Sequence, residues 1–285
     1  MRFRGKLVDV GCVANFTRVL NTIAKLTKTC TLHLSSDKLY FIVSDRAANG
    51  GVTIWCELVQ NNFFDEYQMD GLSVEFNEIY LDIPPDSIAR ALKTAQSAKS
   101  VKIKLTKKHC PYLTLDVELA SLLSHSRVVT HDIPVQVVPQ QLWSDHKEPA
   151  VPDFDVSIYL PPFKTLKSVM DKMKNLTNFM VVQANQSGEM NLEIDTELVS
   201  VTTYFKDLGN PPWASVNWSQ DRCHGRDPKA MAQAKVDTKK LLQFVAGQQI
   251  NADKAVCNIV DKKLLHFILL HEDVTLQYFL PAVTM

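Results

Sequence analysis

The sequence predicts an α+β protein of two similar domains, each an antiparallel sheet with two helices on one face. Three observations predict it. Short segments of alternating polar and apolar residues dominate the 285 residues, two stretches in each half switch to a helical period, and turns of a few residues join neighbouring strands. Connections that short cannot link parallel strands.

In the first half, residues 2–9, 29–34, 39–44, 52–59, 78–83, 101–106, 113–118 and 128–138 alternate as strands do. Asp37-Lys38, Asn49-Gly50-Gly51 and Lys107-Lys108 supply turns. Residues 12–28 instead place Phe16, Leu20, Ile23 and Leu26 along one side of a helix, and residues 85–98 do the same with Ile88, Leu92 and Ala95. Pro85 and Asp86 sit where a first turn favours them. The second half repeats the plan: a strand at 156–160, a helix at 163–176, strands at 179–184, 190–194 and 199–205, and a loop from Asp207. A strand at 232–237 then leads into a helix at 238–248, and strands at 255–260, 264–270 and 274–280 close the chain. The two halves share this order with almost no identity. Between them, residues 139–153 hold three prolines and little periodicity, which marks a connector between domains at 1–138 and 154–285.

A hydrophobic content of 46% places the chain among globular proteins. Residues 1–10 alternate charged and apolar side chains, unlike a secretory leader, and the longest apolar run, 264–270, is far too short to span a bilayer. The six cysteines lack any CxxC spacing and read as buried free thiols in a reducing compartment; the four Asn-x-Ser/Thr sequons then arise by chance.

No phosphate-cradling loop, nucleophile elbow or HExxH helix occurs, so no catalytic residue, cofactor or metal is expected. His109-Cys110 and Cys223-His224 lack further ligands at a workable spacing. Asp153 with Asp155, and Glu272 with Asp273, are the carboxylates a metal-dependent nuclease could use.

The 31 basic and 31 acidic side chains sum to zero, which by itself argues against an acidic partner. Their distribution reverses that argument. Residues 12–28, 85–99, 163–175 and 237–248 hold twelve basic and three acidic side chains, so the helices carry +9 and the remainder −9. Arg18 and Lys25 lie seven apart, opposite the apolar stripe, and Lys167 and Lys174 repeat the spacing. Arg18, Lys25, Lys28, Arg90, Lys93, Lys99, Lys164, Lys167, Lys174, Lys239 and Lys240 therefore form a surface for a phosphate backbone, with an acidic exterior elsewhere.

Residues 48–57 (ANGGVTIWCE), 77–81 (NEIYL), 90–96 (RALKTAQ), 131–134 (HDIP), 205–212 (FKDLGNPP), 240–249 (KLLQFVAGQQ) and 271–281 (HEDVTLQYFLP) carry a family likeness. They resemble the Hus subunits of the heterotrimeric checkpoint clamp, the nine-one-one clamp, a branch of the DNA sliding clamps. The likeness runs from Met1 to about Ala282, with residues 213–229 as its variable stretch. The resemblance implies the sliding-clamp fold, a nuclear location that does not exclude a cytoplasmic pool, and a non-catalytic ring subunit acting in checkpoint signalling and repair. Its implied partners are two Rad-family clamp paralogues, double-stranded DNA threaded without regard to sequence, a clamp loader, and checkpoint and repair proteins; no membrane is implied. It also implies that edge strands join subunits, here through Arg127, Val129, His131, Ile133 and Val135 in one domain and Leu198, Ser200, Thr202 and Tyr204 in the other. A partner-peptide pocket is expected at Val138, Leu142, Trp143, Tyr278, Leu280 and Pro281. A metal-dependent nuclease and a monomeric protein-interaction module are the alternative readings of the residues.

Overall fold

A computed structural model describes residues 1–44, 51–95, 98–119, 127–151, 153–212, 227–250 and 252–283. The Asn49-Gly50 turn, the Cys223-His224 pair and most of the variable stretch 213–229 lie outside the described residues. The chain divides into two units, Met1–Val43 with Trp55–Glu148, and Ser44–Ile54 with Pro149–Met285. Among the described residues, Ser44 and 51–54 thus group with the second unit, whereas the sequence places them in the first domain.

The first unit contains β1 (Arg2–Leu7), α1 (Val10–Leu26), β2 (Cys30–Leu34), β3 (Lys38–Ser44), β4 (Thr53–Val59), β5 (Glu66–Asp70), β6 (Ile79–Ile83), α2 (Pro85–Leu92), β7 (Ala98–Lys107), β8 (Pro111–Leu119), β9 (Arg127–Pro134) and β10 (Gln136–Val137). Its strands divide between two sheets, in the orders β5-β1-β7-β8-β9 and β10-β6-β2-β3-β4, where the sequence suggests one. The second unit contains β11 (Val156–Tyr159), α3 (Phe163–Met173), β12 (Phe179–Ala184), β13 (Met190–Asp195), β14 (Ser200–Phe205), β15 (Ala232–Asp237), α4 (Thr238–Gly247), β16 (Lys254–Val260), β17 (Leu264–His271) and β18 (Val274–Pro281). It repeats the arrangement with the orders β14-β13-β12-β15 and β18-β17-β16-β11. The registered pairs within these sheets are antiparallel, as the short turns require.

Local chemistry starts each helix. Asp9 caps α1, its carboxylate accepting from Cys12 N at 2.9 Å, and those helix-start N–H groups hold its acid below the usual carboxylate range. Asp237 caps α4 in the same manner, accepting from Lys239 N at 2.8 Å and Lys240 N at 3.0 Å. The other two helices are entered through proline pairs, α2 at the second proline of Pro84-Pro85 and α3 just after Pro161-Pro162, and the fixed φ of proline suits a helix entry. Each unit therefore pairs one aspartate-capped helix with one proline-led helix, and the two pack together, α1 on α2 and α3 on α4.

The apolar stripes decide what these pairs bury. Phe16 of α1 meets Phe41, Phe63 and Phe64 at ring separations of 6.3, 6.2 and 5.7 Å. Phe244 of α4 stacks on Phe267 at 4.7 Å and on Tyr278 at 4.6 Å. A polar ring sits inside a second sandwich in each unit. His33 lies between Tyr80 and Tyr40, at 4.0 and 5.0 Å, and His266 between Phe279 and Phe154, at 4.2 and 5.4 Å. Burial pushes both imidazoles down to about 4, against weaker upward contributions from Glu78 and Gln277 respectively. Cys30, Cys56 and Cys257 are buried, and desolvation pushes their thiols far above the ordinary range.

Candidate nucleic-acid interface

The helical cations stand on the faces opposite these stripes. Arg18, Lys25, Arg90, Lys93, Lys164, Lys167, Lys174 and Lys239 are exposed, while Lys240 is half-buried. Two of the expected residues lie off the helices. Lys28 falls beyond the end of α1, in the turn before β2. Lys99 belongs to strand β7, 3.7 Å from Glu118, because the helix ends at Leu92 and continues only as a 3-10 turn to Ala95. That correction removes Lys99 from the helix set.

Several of these charges are already partly balanced. Arg90 pairs with Asp86 at 2.6 Å, and Lys167 and Lys174 converge on Asp171 at 3.0 and 2.9 Å. Hydrogen bonds from these two lysines hold the Asp171 carboxyl below its usual range. Arg18 donates to Asn15 Oδ1 at 2.9 Å. Among the described residues, Lys93, Lys164 and Lys239 form no ion pair and keep their ammonium groups in solvent. Lys164 and Lys239 also occupy first turns, where the helix dipole disfavours a cation by roughly 0.3–1 kcal/mol. Helix stability therefore does not explain their placement.

The exterior is not uniformly acidic, contrary to the simple charge sum. Arg2, Arg4 and Lys6 of β1 and Lys102 and Lys104 of β7 share the sheet face opposite the buried Phe3, Leu7, Val101 and Ile103. Neighbouring carboxylates answer them across the strands, Lys6 to Glu66 at 3.0 Å and Lys104 to Asp116 at 2.6 Å.

Among the described residues, strands β9 and β14 each end a sheet and leave one row of backbone groups without a strand partner in their unit. On β9, Arg127 is exposed, Val129 and His131 are half-buried, and His131 Nε2 lies 3.3 Å from Thr94 Oγ1. Ile133 and Val135 are core residues, so at these positions only the backbone edge, and not the side chain, faces outward. Period 2 turns that set inward and leaves its neighbours outward, which is why exposed Val128 was missed. On β14 and the turn before it, Leu198 is 94% exposed, Tyr204 is 67% exposed, Ser200 is exposed and Thr202 half-buried.

The expected peptide pocket separates into surface and core. Trp143 stacks on Tyr80 at 4.7 Å and donates through Nε1 to the Val138 carbonyl at 3.1 Å, fastening the connector to β6. Leu142 is exposed and Val138 buried. Tyr278 and Leu280 are core residues, with Tyr278 OH donating to the Lys240 carbonyl at 3.2 Å, and Pro281 is half-buried. Tyr278 and Leu280 are thereby removed as surface residues of the pocket. Exposed Leu72, Val74 and Phe76 beside the connector were not singled out from sequence, since an isolated apolar residue in a loop carries no period.

Of the carboxylates considered for catalysis, Asp155 has a structural role. Asp155 Oδ2 accepts from Asp261 N at 2.7 Å, fixing the start of β11 to the β16–β17 turn. Among the described residues no group of three or more His, Cys, Asp or Glu could hold a metal ion, and no helix is long and apolar enough to cross a membrane.

A family model described as Hus1-like protein matches residues 1–284. Over 284 residues the chain is 60% identical to the human Checkpoint protein HUS1, covering all of both sequences. It is 29% identical over 249 residues to Checkpoint protein hus1 of Schizosaccharomyces pombe, covering 86% of this chain and 84% of that one. The solved structure of Proliferating Cellular Nuclear Antigen from Entamoeba histolytica superposes with a TM-score of 0.70 at 12% identity, covering 99% of both chains, and shows the sliding-clamp fold.

Proposed function

Because the chain belongs to the Hus1-like protein family, we propose that it is a checkpoint sliding-clamp subunit that joins two Rad-family clamp paralogues in a heterotrimeric ring around double-stranded DNA. The ring is placed on DNA by a clamp loader and acts in the nucleus as a platform for checkpoint and repair proteins, with no catalysis of its own. One observation carries the reading: both units present an exposed, predominantly basic helix pair, and the pair of the second unit includes first-turn cations that helix stability disfavours. Such a surface meets phosphates without reading bases. The open edges of β9 and β14 supply one site per unit for head-to-tail pairing with neighbours.

Co-expression with two clamp paralogues, followed by native mass spectrometry, tests the assembly. A 1:1:1 complex is expected. A stable homotrimer of this chain that encircles DNA without the paralogues would overturn the heteromeric reading.

A further inference from the structure

Residues 71–77 lie between β5, at the edge of one sheet, and β6 in the other, and fold back on themselves as a small closed hairpin of their own. Leu72 N and Ser73 N donate to the Phe76 carbonyl at 3.0 and 3.3 Å, Phe76 N donates to Ser73 Oγ at 3.1 Å, and Gly71 N donates to Asn77 Oδ1 at 2.7 Å. A Cβ on Gly71 would stand 2.4 Å from Glu78 N, so the neck closes this tightly only at glycine. The loop is therefore held by its own hydrogen bonds, and it turns Leu72, Val74 and Phe76 outward, Val74 being 99% exposed. Phe76 meets Trp143 edge-on at 6.5 Å, and exposed Leu142 extends the apolar patch onto the connector. A folded loop that presents three apolar side chains to water marks an interaction surface.

Charge identifies the occupant. Between Ala47 and Ala89 the sequence holds eight acidic residues and no lysine or arginine. Several are engaged elsewhere, Glu57 by Lys38, Glu66 by Lys6, Asp86 by Arg90 and Asp82 by Thr31. Those around the hairpin remain at the surface: Asp70 and Glu75 are exposed, and Glu78 is half-buried beside Tyr80. This acidic rim repels nucleic acid, and a second copy of the chain would bring like charges together.

We infer that the hairpin 71–77, together with Leu142 and Trp143, docks a short linear peptide whose apolar anchors are flanked by lysine or arginine. This rests on the reading of Leu142 and Trp143 as partner-facing. The anchors cover Leu72, Val74 and Phe76, and the flanking cations meet Asp70 and Glu75.

A displayed library of random dodecapeptides panned against the full chain tests the inference, with anisotropy titration of the selected peptides. Apolar anchors with adjacent Lys or Arg are expected among them, with affinity falling about tenfold or more in Val74→Ser/Phe76→Ser and in Glu75→Lys. Val74 is so exposed that its replacement leaves folding intact, which unchanged thermal unfolding would verify. Binding that is lost in Leu142→Ser but unchanged in the hairpin variant overturns the hairpin while sparing the partner-facing connector. Binding indifferent to both sinks both, and so does selection of acidic peptides. Self-association of the chain that disperses in Val74→Ser/Phe76→Ser overturns the inference in favour of a second copy.

Discussion

The imidazole of His33 lies against the phenol ring of Tyr80, with 4.0 Å between centroids and 8° between planes, and its Nε2 stands 3.5 Å from Glu78 Oε2. Burial opposes protonation, Glu78 favours it and His146 adds to the burial effect, so that the ring is held at about 4 against an ordinary 6.5. The unfolded chain therefore takes up a proton near pH 6.5 that the folded chain refuses until about pH 4. Stability from this ring is complete above about pH 6.5 and declines as pH falls towards 4, by at most about 3 kcal/mol. Replacing His33 with Phe keeps the stack and removes the proton site. Denaturant unfolding between pH 7 and pH 5 should show a shallower acid loss in His33→Phe, with His266 supplying what remains; an unchanged slope would count against the burial account.

Charge reversal at Lys93, Lys164 and Lys239 should weaken retention on DNA and flatten its dependence on salt, by a slope of roughly one for each phosphate no longer neutralised. These positions are exposed and form no ion pair among the described residues, so unfolding should shift by no more than about 0.5 kcal/mol. Unaltered binding over a salt series would remove DNA from those helices.

Leu198→Glu with Tyr204→Glu should weaken association with a clamp paralogue about tenfold or more while leaving the isolated chain folded, because both side chains point into solvent. Pairwise affinity by sedimentation decides this. If affinity is kept, subunits do not join through β14.

Phe244→Ala should cost about 3–5 kcal/mol, since the ring is fully buried and stacks on both Phe267 and Tyr278. Faster amide hydrogen exchange in α3, α4 and β17 is the expected local signature. A loss below about 1 kcal/mol would mean that the second unit repacks around the void.

Periodicity made most of this fold legible. Ile23 is a core residue because Val19, Leu20 and Leu26, three and four positions away, are apolar too, a pattern that survives without any structure. Strand β5 escaped notice for the converse reason: Glu66, Gln68 and Asp70 face solvent on a sheet edge, and only half-buried Tyr67 and Met69 alternate with them. Lys99 falls on a helix by sequence because Ala95 and Ala98 prolong the apolar spacing, whereas the backbone tightens into a 3-10 turn and then extends. Tyr278 and Leu280 were placed in a pocket by family likeness, and no local pattern could separate a pocket wall from the core it backs onto. The positive helix faces were legible in charge alone, but their pairing with Asp86 and Asp171 needed geometry.

The thiols have a practical consequence. Cysteine reacts as thiolate, and Cys30, Cys56 and Cys257 are both shielded from solvent and held in the protonated form. Oxidants and alkylating reagents that reach the folded chain should find Cys12 and Cys110 first among the described cysteines, since both lie only partly covered. Among the described cysteines, a maleimide dye added under native conditions would therefore mark Cys12 and Cys110 and leave the three interior sulfurs intact, and late labelling of those three would time the opening of the core.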